Sequence, residues 1–223
     1  MTTVIDVTEP SYLSATRASY DTVAVDYAEL LRTELAAKPL DRALLATFAE
    51  LVQAGPGGLV ADLGCGPGRV TAHLHALGLN AFGIDLSPGM ITVARRAHPG
   101  LRFDEGTMTA LDLADGSVGA IVAWYSIIHT PPELLPLVFA EFSRVLAPGG
   151  HLLLAFQAGD ERVRIEHGYG HDVSLDAYRL EPERVESLIH RSGMLVDARL
   201  LREPVDRERT RQAYLMAHKP VGP

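Results

Sequence analysis

The sequence predicts an α/β fold: a doubly wound, mostly parallel sheet beneath a helical N-terminal cover. Three observations predict it. Short apolar runs alternate with helical stretches between Leu59 and Phe156, which is the rhythm of βαβ crossovers. One of those runs, "VADL", delivers an aspartate into three glycines at alternate positions, Gly64, Gly66 and Gly68. The chain then ends on two strand-like segments joined by a short polar link, which reads as an antiparallel hairpin on the sheet edge.

Taken in order, the segment from about Ser14 to Val52 reads as helix. "YDTVAVDYAELLRTEL" sets Val23, Tyr27, Leu30 and Leu31 near one face, and Pro39 separates it from "LDRALLATFAELV". "AGPGG" breaks the chain. "LVADL" is the first strand, "RVTAHLHALG" a helix and "NAFGID" the second strand. "SPGMITVARRAH" opens a helix with a serine N-cap and a proline at the first helical position. "LRFDEG" and "GAIVAWYS" supply strands three and four, and "PELLPLVFAEFSRVLA" the following helix. "HLLLAF" is an unbroken apolar run, as expected of a strand buried on both faces. "EPERVESLIHRSG" is a last helix, before "MLVDARLLRE" and "TRQAYLMAHK" form the hairpin. There are no internal repeats. The expected organisation is a single domain: a helical cover over residues 1–55, a core over 56–157, and a lid, helix and hairpin over 158–223.

The chain has 223 residues and 47% hydrophobic content, sufficient for a real core. No apolar run approaches the eighteen or so residues of a membrane span, and "MTTVIDVTEPSYLS" lacks the basic-then-apolar pattern of a signal peptide. One cysteine, Cys65, precludes an internal disulfide and fits a reducing, cytoplasmic setting. A formal net charge of −8 argues against a nucleic-acid or anionic-membrane surface, because neutralising phosphates takes clustered Lys and Arg.

In an open parallel sheet, ligands bind beyond the carboxyl ends of the strands. The glycine loop lies there, and its backbone N–H groups and the following helix N-terminus would face a ligand. Its spacing discriminates. The dinucleotide fingerprint G-x-G-x-x-G, counted from Gly64, would need glycine where Arg69 stands, and the lysine of a Walker loop is missing. An alternate-glycine loop preceded by Asp62 suits a ligand whose amino-acid end carries an ammonium. A tight βα turn with no ligand is the alternative. Asp85 ends the second strand about twenty residues on, where an acid accepts ribose hydroxyls; otherwise it is an ordinary strand-end acid opening a turn.

From about Tyr20 to Phe156 the sequence resembles the class I S-adenosylmethionine-dependent methyltransferases. "ADLGCGPG", "GIDLSPGMITVAR", "EGTMTALDLADGSVGAIVAWYSIIH" and "RVLAPGGHLLLAF" stand in the order of that family's blocks. The resemblance implies a Rossmann-like sheet of seven strands, order 3-2-1-4-5-7-6, with strand seven antiparallel. It implies S-adenosyl-L-methionine as cofactor and S-adenosyl-L-homocysteine as product. Gly64 and Gly66 would approach the methionine portion, with Asp62 bonding nearby, directly or through water. Asp85 would hold the ribose, with Leu86 and Met90 against one side of the adenine and Thr107 and Met108 against the other. Tyr125 and Ser126 would face the methionine end. Two positions depart from the pattern. The acid that usually bonds the adenine amino group is Thr107, a neutral hydroxyl, and the acid common just before strand four is Gly119.

A sulfonium methyl is already activated, so catalysis reduces to alignment, exclusion of water and removal of a proton. Tyr20 or Tyr27 on the cover would lie over the cofactor, with Tyr27 otherwise a core residue; Tyr20 is the preferred choice. His129, just past strand four, is the candidate base, or else a residue closing its loop. The segment "RIEHGYGHDVSLDAYRL" reads as a polar lid over the acceptor. Gly168 and Gly170 argue against a helix that would turn His167 and His171 into metal ligands, and no metal is expected. Arg179 would clamp an anion or be solvated, and Cys65 fills space. The expected function is methyl transfer to oxygen or nitrogen of a small-molecule acceptor, in a monomer or homodimer. The alternatives are a cofactor-binding sensor or partner without transfer activity, and, disfavoured by the glycine spacing, a nucleotide-dependent oxidoreductase.

Overall fold

The helical cover comes first and is three pieces rather than the two that Pro39 was expected to separate: α1 (Ser11–Leu31), the single turn α2 (Glu34–Ala37) and α3 (Pro39–Ala54). The computed structural model describes residues 10–206 and 208–222; residues 1–9, on which the expectation about a leader partly rests, lie outside them. Pro39 ends α2 as much as it starts α3. The residue before a proline is driven out of the helical region, and Lys38 sits at φ −111°, ψ 85°. Pro39 itself occupies the first turn, where its missing N–H is no loss.

Strands and helices then alternate: β1 (Leu59–Leu63), α4 (Arg69–Ala76), β2 (Asn80–Asp85), α5 (Pro88–Ala97), β3 (Phe103–Glu105), β4 (Val118–Trp124), α6 (Leu135–Val145) and β5 (Leu146–Gln157). The start of α5 is as its sequence implies, with Ser87 Oγ accepting the Met90 N–H at 3.0 Å and Pro88 opening the helix. β5 begins before the apolar run that announced it.

The segment read as a polar lid is a β-hairpin, β6 (Arg162–Gly168) and β7 (His171–Tyr178), paired with itself and separate from the main sheet. Its period-two alternation of Val163 and Ile165 with charged neighbours was masked by the charges. Gly168 pairs with His171, so Tyr169 and Gly170 form a two-residue turn, and both have positive φ, 55° and 85°. After α7 (Pro182–Arg191) the chain ends in β8 (Leu195–Arg202) and β9 (Gln212–His218).

The main sheet has seven strands in the order β3-β2-β1-β4-β5-β9-β8. β9 runs antiparallel to both β5 and β8, and the other pairs are parallel. Setting the separate hairpin aside, this is the expected 3-2-1-4-5-7-6. β4 lies at the centre with every residue buried. Phe139 and Phe142 of α6 pack with Ile121 and Leu152 on one face, and Leu45 and Phe48 of α3 pack with Val122 and Tyr214 on the other. Each such side chain contributes about 1.5–3 kcal/mol by burial. That two-sided clamp fixes the strand ends where the site is built. Among the described residues no helix is long and apolar enough to cross a membrane.

Gly119 has a steric cause. The 55–58 turn passes so close that a Cβ there would stand 1.8 Å from the Gly57 carbonyl oxygen, so the acid of the resembling family has no room. Gly119→Ala is therefore expected to cost about 1–3 kcal/mol, read as a lower urea midpoint with an unchanged slope.

Candidate active site

A cavity opens where β1, β2 and β4 end, roofed by α1. One wall is the glycine loop. Gly64 has φ +73°, and a Cβ on it would stand 2.3 Å from Ser126 Cβ, so only glycine lets the loops after β1 and β4 meet. Gly68 is structural, since its Cβ would collide with the Phe103 ring at 2.6 Å. Gly66 faces the cavity, and its N–H donates to Asp85 Oδ2 at 2.8 Å. The other Asp85 oxygen, Oδ1, accepts the Ser87 N–H at 2.9 Å. Burial raises the Asp85 carboxyl above the ordinary aspartate value, and those two backbone donors oppose the rise.

The roof is fastened on both sides of the cavity by adjacent residues of α1. Tyr20 Oη lies 2.7 Å from His129 Nε2. Asp21 Oδ1 accepts the Ser87 hydroxyl at 2.6 Å and the Gly89 N–H at 2.8 Å, placing a carboxylate at the N-terminus of α5. Arg17 Nε donates to the Leu86 carbonyl at 3.2 Å. Tyr12, from the first turn of α1, hydrogen-bonds Thr109.

His129 closes a one-turn 3-10 helix, Ile127–His129, just after β4. Its Nδ1 is 2.8 Å from the Asp176 backbone oxygen. A carbonyl only accepts, so Nδ1 carries the proton, and Nε2 is left to accept from the Tyr20 hydroxyl. Burial lowers the His129 pKa, with the Asp176 carbonyl opposing. The imidazole is therefore neutral near pH 7. Tyr20 is held well above the usual phenol value by burial, with nearby Tyr27, Tyr169 and Asp85 adding to it. The pair is a neutral donor on a neutral acceptor.

Of the residues singled out in the sequence, Tyr20, Gly64, Gly66, Asp85, Leu86 and Met90 line this cavity together. So do Thr107, Met108, Tyr125, Ser126 and His129. The Thr107 hydroxyl is 3.0 Å from that of Thr109, within its own loop. Ser126 Oγ donates to the Leu63 carbonyl at 2.7 Å. Tyr27 also reaches the cavity while packing beside Val23, Ala24 and Met90. Asp62 is the exception: it is fully buried beneath the loop, accepting the Thr71 hydroxyl at 2.6 Å, and its Oδ1 has no partner. Cys65 is buried, which pushes its thiol up and makes it a poor nucleophile. His167 and His171 pair with Asp172 and Asp26, and Arg179 with Glu161.

Tyr12, Leu13, Thr16 and Arg17 were missed as lining residues. With Tyr20 they recur at three- and four-residue steps along α1, but a mostly polar face of that kind ordinarily reads as solvent-facing.

Burial, partly opposed by the Thr71 hydroxyl, raises Asp62 from 3.8 to about 7. The folded protein thus holds this proton more tightly than the unfolded chain. Stability falls as pH rises from about 4 and levels off above about 7. Asp62→Asn keeps an acceptor for Thr71 and has no charge to bury. Its melting temperature relative to the parent is expected to gain about 5 °C or more between pH 4 and pH 8, by thermal denaturation at both pH values.

Residues 60–150 match a family described as a methyltransferase domain. A demethylmenaquinone methyltransferase of Beutenbergia cavernae is 32% identical over 136 residues, 61% of this chain and 55% of that protein. A malonyl-[acyl-carrier protein] O-methyltransferase of Erwinia billingiae is 32% identical over 116 residues, 52% and 44% of the two chains. The chain thus spans about half the length of the curated relatives it matches. Among solved structures, the DhpI–SAH complex superposes with a TM-score of 0.70 at 19% identity, covering 94% of this chain and 97% of that one. Motif order, domain match and sheet topology together support the resemblance to the class I S-adenosylmethionine-dependent methyltransferases: residues 60–150 match a methyltransferase domain, and the fold is similar to that of solved SAM-dependent methyltransferases.

Proposed function

We propose that this protein transfers the methyl group of S-adenosyl-L-methionine to an oxygen or nitrogen of a small-molecule acceptor. The observation that carries the reading is one cavity holding two kinds of chemistry. Glycine backbone, Asp85 and the apolar Leu86, Met90 and Met108 line it, and so does the Tyr20–His129 pair. The residues fit the cofactor. Asp85 would present a carboxylate toward ribose hydroxyls, and Asp62, buried beneath the loop, keeps an Oδ1 without a partner. The bound cofactor supplies an electrophilic methyl on a sulfonium.

In this reading the chain does the rest by placement. The roof excludes water and confines the acceptor, and alignment of this kind lowers a barrier by roughly 7–11 kcal/mol. The Tyr20 ring stands T-shaped to His129 at 5.3 Å between centroids, and a Tyr20 face turned to the sulfonium would contribute about 0.5–2 kcal/mol. An acceptor proton passes to Tyr20 Oη as the Tyr20 proton moves to His129 Nε2, and the Asp176 carbonyl holds the resulting imidazolium through Nδ1. Oxygen is favoured over a cationic amine. Among the described residues Asp85 is the one carboxylate lining the cavity, and this reading assigns it to the ribose, which leaves none to hold an ammonium.

The test is calorimetric titration with S-adenosyl-L-homocysteine. Micromolar binding is expected, weakened at least about tenfold in Asp85→Ala, since a charge-assisted bond contributes about 1.5–3 kcal/mol; heat-silent titrations in the parent would end the reading. Once an acceptor is in hand, His129→Gln is expected to lower kcat by about 100-fold or more while leaving S-adenosyl-L-homocysteine affinity within about threefold. Tyr20→Phe is expected to lose a similar factor. Because burial lowers the His129 pKa, the acid limb of kcat should fall below the ordinary histidine range.

A further inference from the structure

Tyr125 is a bulky residue with φ 55° at the cavity end of β4. Such a conformation is strained and persists only where the surroundings enforce it. Its N–H is held by the Ala155 carbonyl at 2.8 Å. Its side chain is held by something less expected, on the far side of the sheet. Tyr125 Oη lies 3.1 Å from Tyr214 Oη in β9. Tyr214 is fully buried, and its hydroxyl donates to Asp41 Oδ1 at 3.0 Å, in the first turn of α3. Arg202 of β8 donates to Tyr214 Oη from Nε at 3.4 Å and Nη2 at 3.2 Å. Glu208 grips Arg202 in a fork at 2.6 and 2.9 Å, and Lys38 binds Glu208 at 3.2 Å.

The proton directions are determined. Arg202 only donates, and the Asp41 carboxylate accepts, so the single Tyr214 proton goes to Asp41. The Tyr125 hydroxyl must then give its own proton to Tyr214, away from the cavity. The ring faces the site while the hydroxyl serves as an anchor.

We propose that Tyr214, Asp41 and Arg202 are positioning residues that hold the Tyr125 ring in its left-handed conformation against the cofactor end of the cavity. This rests on the reading of the cavity as a cofactor site. It assigns a role in that site to the C-terminal antiparallel strands, none of whose residues line the cavity. Each member is satisfied by the next, so removing one frees Tyr125 to relax from its strained backbone.

Tyr125→Phe removes the anchor and leaves the ring. Tyr214→Phe removes the receiving oxygen. Each is expected to weaken S-adenosyl-L-homocysteine binding by about 3–10-fold in calorimetry. The double variant should be no weaker than either single one, because both break the same link. Trp124 gives an independent readout. It is the sole tryptophan in the sequence, with ring centroids 6.0 Å from Tyr125 and 5.6 Å from Tyr214. The change in its emission on S-adenosyl-L-homocysteine binding should differ from the parent in both single variants. Unaltered affinity and emission in Tyr125→Phe, or fully additive losses in the double variant, would overturn the proposal. If Tyr214→Phe does not fold, Arg202→Lys, which keeps the charge and loses the fork, takes its place with the same expectation. Failure of the parent to bind S-adenosyl-L-homocysteine would overturn the cofactor reading itself, and this proposal with it.

Discussion

The carboxylate of Asp85 ties together the two loops on which the site depends. One oxygen takes the N–H of Gly66, and the other takes the N–H at the start of the loop before α5. A buried carboxylate is expensive unless hydrogen-bonded, and here the backbone of two crossovers satisfies it. The requirement runs both ways. The glycine loop can lie flat against β2 because a charge at the end of that strand receives it, and the charge is tolerable because the loop has no side chains in the way. Ser87 extends the link: its N–H serves Asp85, its hydroxyl oxygen caps α5, and its hydroxyl proton goes to Asp21 of the roof.

From that linkage the roof inherits its position. Tyr20 and Asp21 are adjacent in sequence, yet one points to His129 across the cavity and the other to the N-terminus of α5. Consecutive residues on a helix diverge by about 100°, so a helix lying along the cavity mouth can fasten both rims with neighbours. A second fastening, through Tyr27 and Arg69 to Glu34, joins the end of α1 to the start of α4. α1 therefore owes its placement to polar contacts at the site more than to an apolar stripe, with only Ser19, Val23 and Ala24 buried along its length.

This explains what was legible in the sequence. The parallel core was, because strands buried on both faces read as plain apolar runs and their glycine and capping residues carry local mechanisms. "SPGM" specifies a helix start without reference to any distant residue. The C-terminal hairpin was legible for the same reason: too few residues separate its strands for a crossover. The β6–β7 hairpin was not, because its charges hid the alternation and its turn is Tyr-Gly rather than a common type I′ pair. The lining role of Tyr12, Thr16 and Arg17 was hidden too, since a polar face along a helix ordinarily means solvent. The Tyr125 anchor was beyond reach, as Asp41, Arg202 and Tyr214 come from three distant elements. His129 was visible as a candidate, but its tautomer depends on a carbonyl supplied by β7.

That carbonyl belongs to the main chain, which separates two kinds of inheritance. The proton geometry of His129 is determined by where the β7 backbone runs and is indifferent to which side chain occupies position 176. A lineage can rewrite the exposed surface of this self-paired hairpin while the tautomer stands, although the Asp176 carboxylate itself raises the His129 pKa and a change there would shift the imidazole's titration. The hairpin forms no ladder with the main sheet, so such change leaves the strand order untouched. The segment best placed to diverge between relatives is also the one that keeps the catalytic candidate in its tautomer.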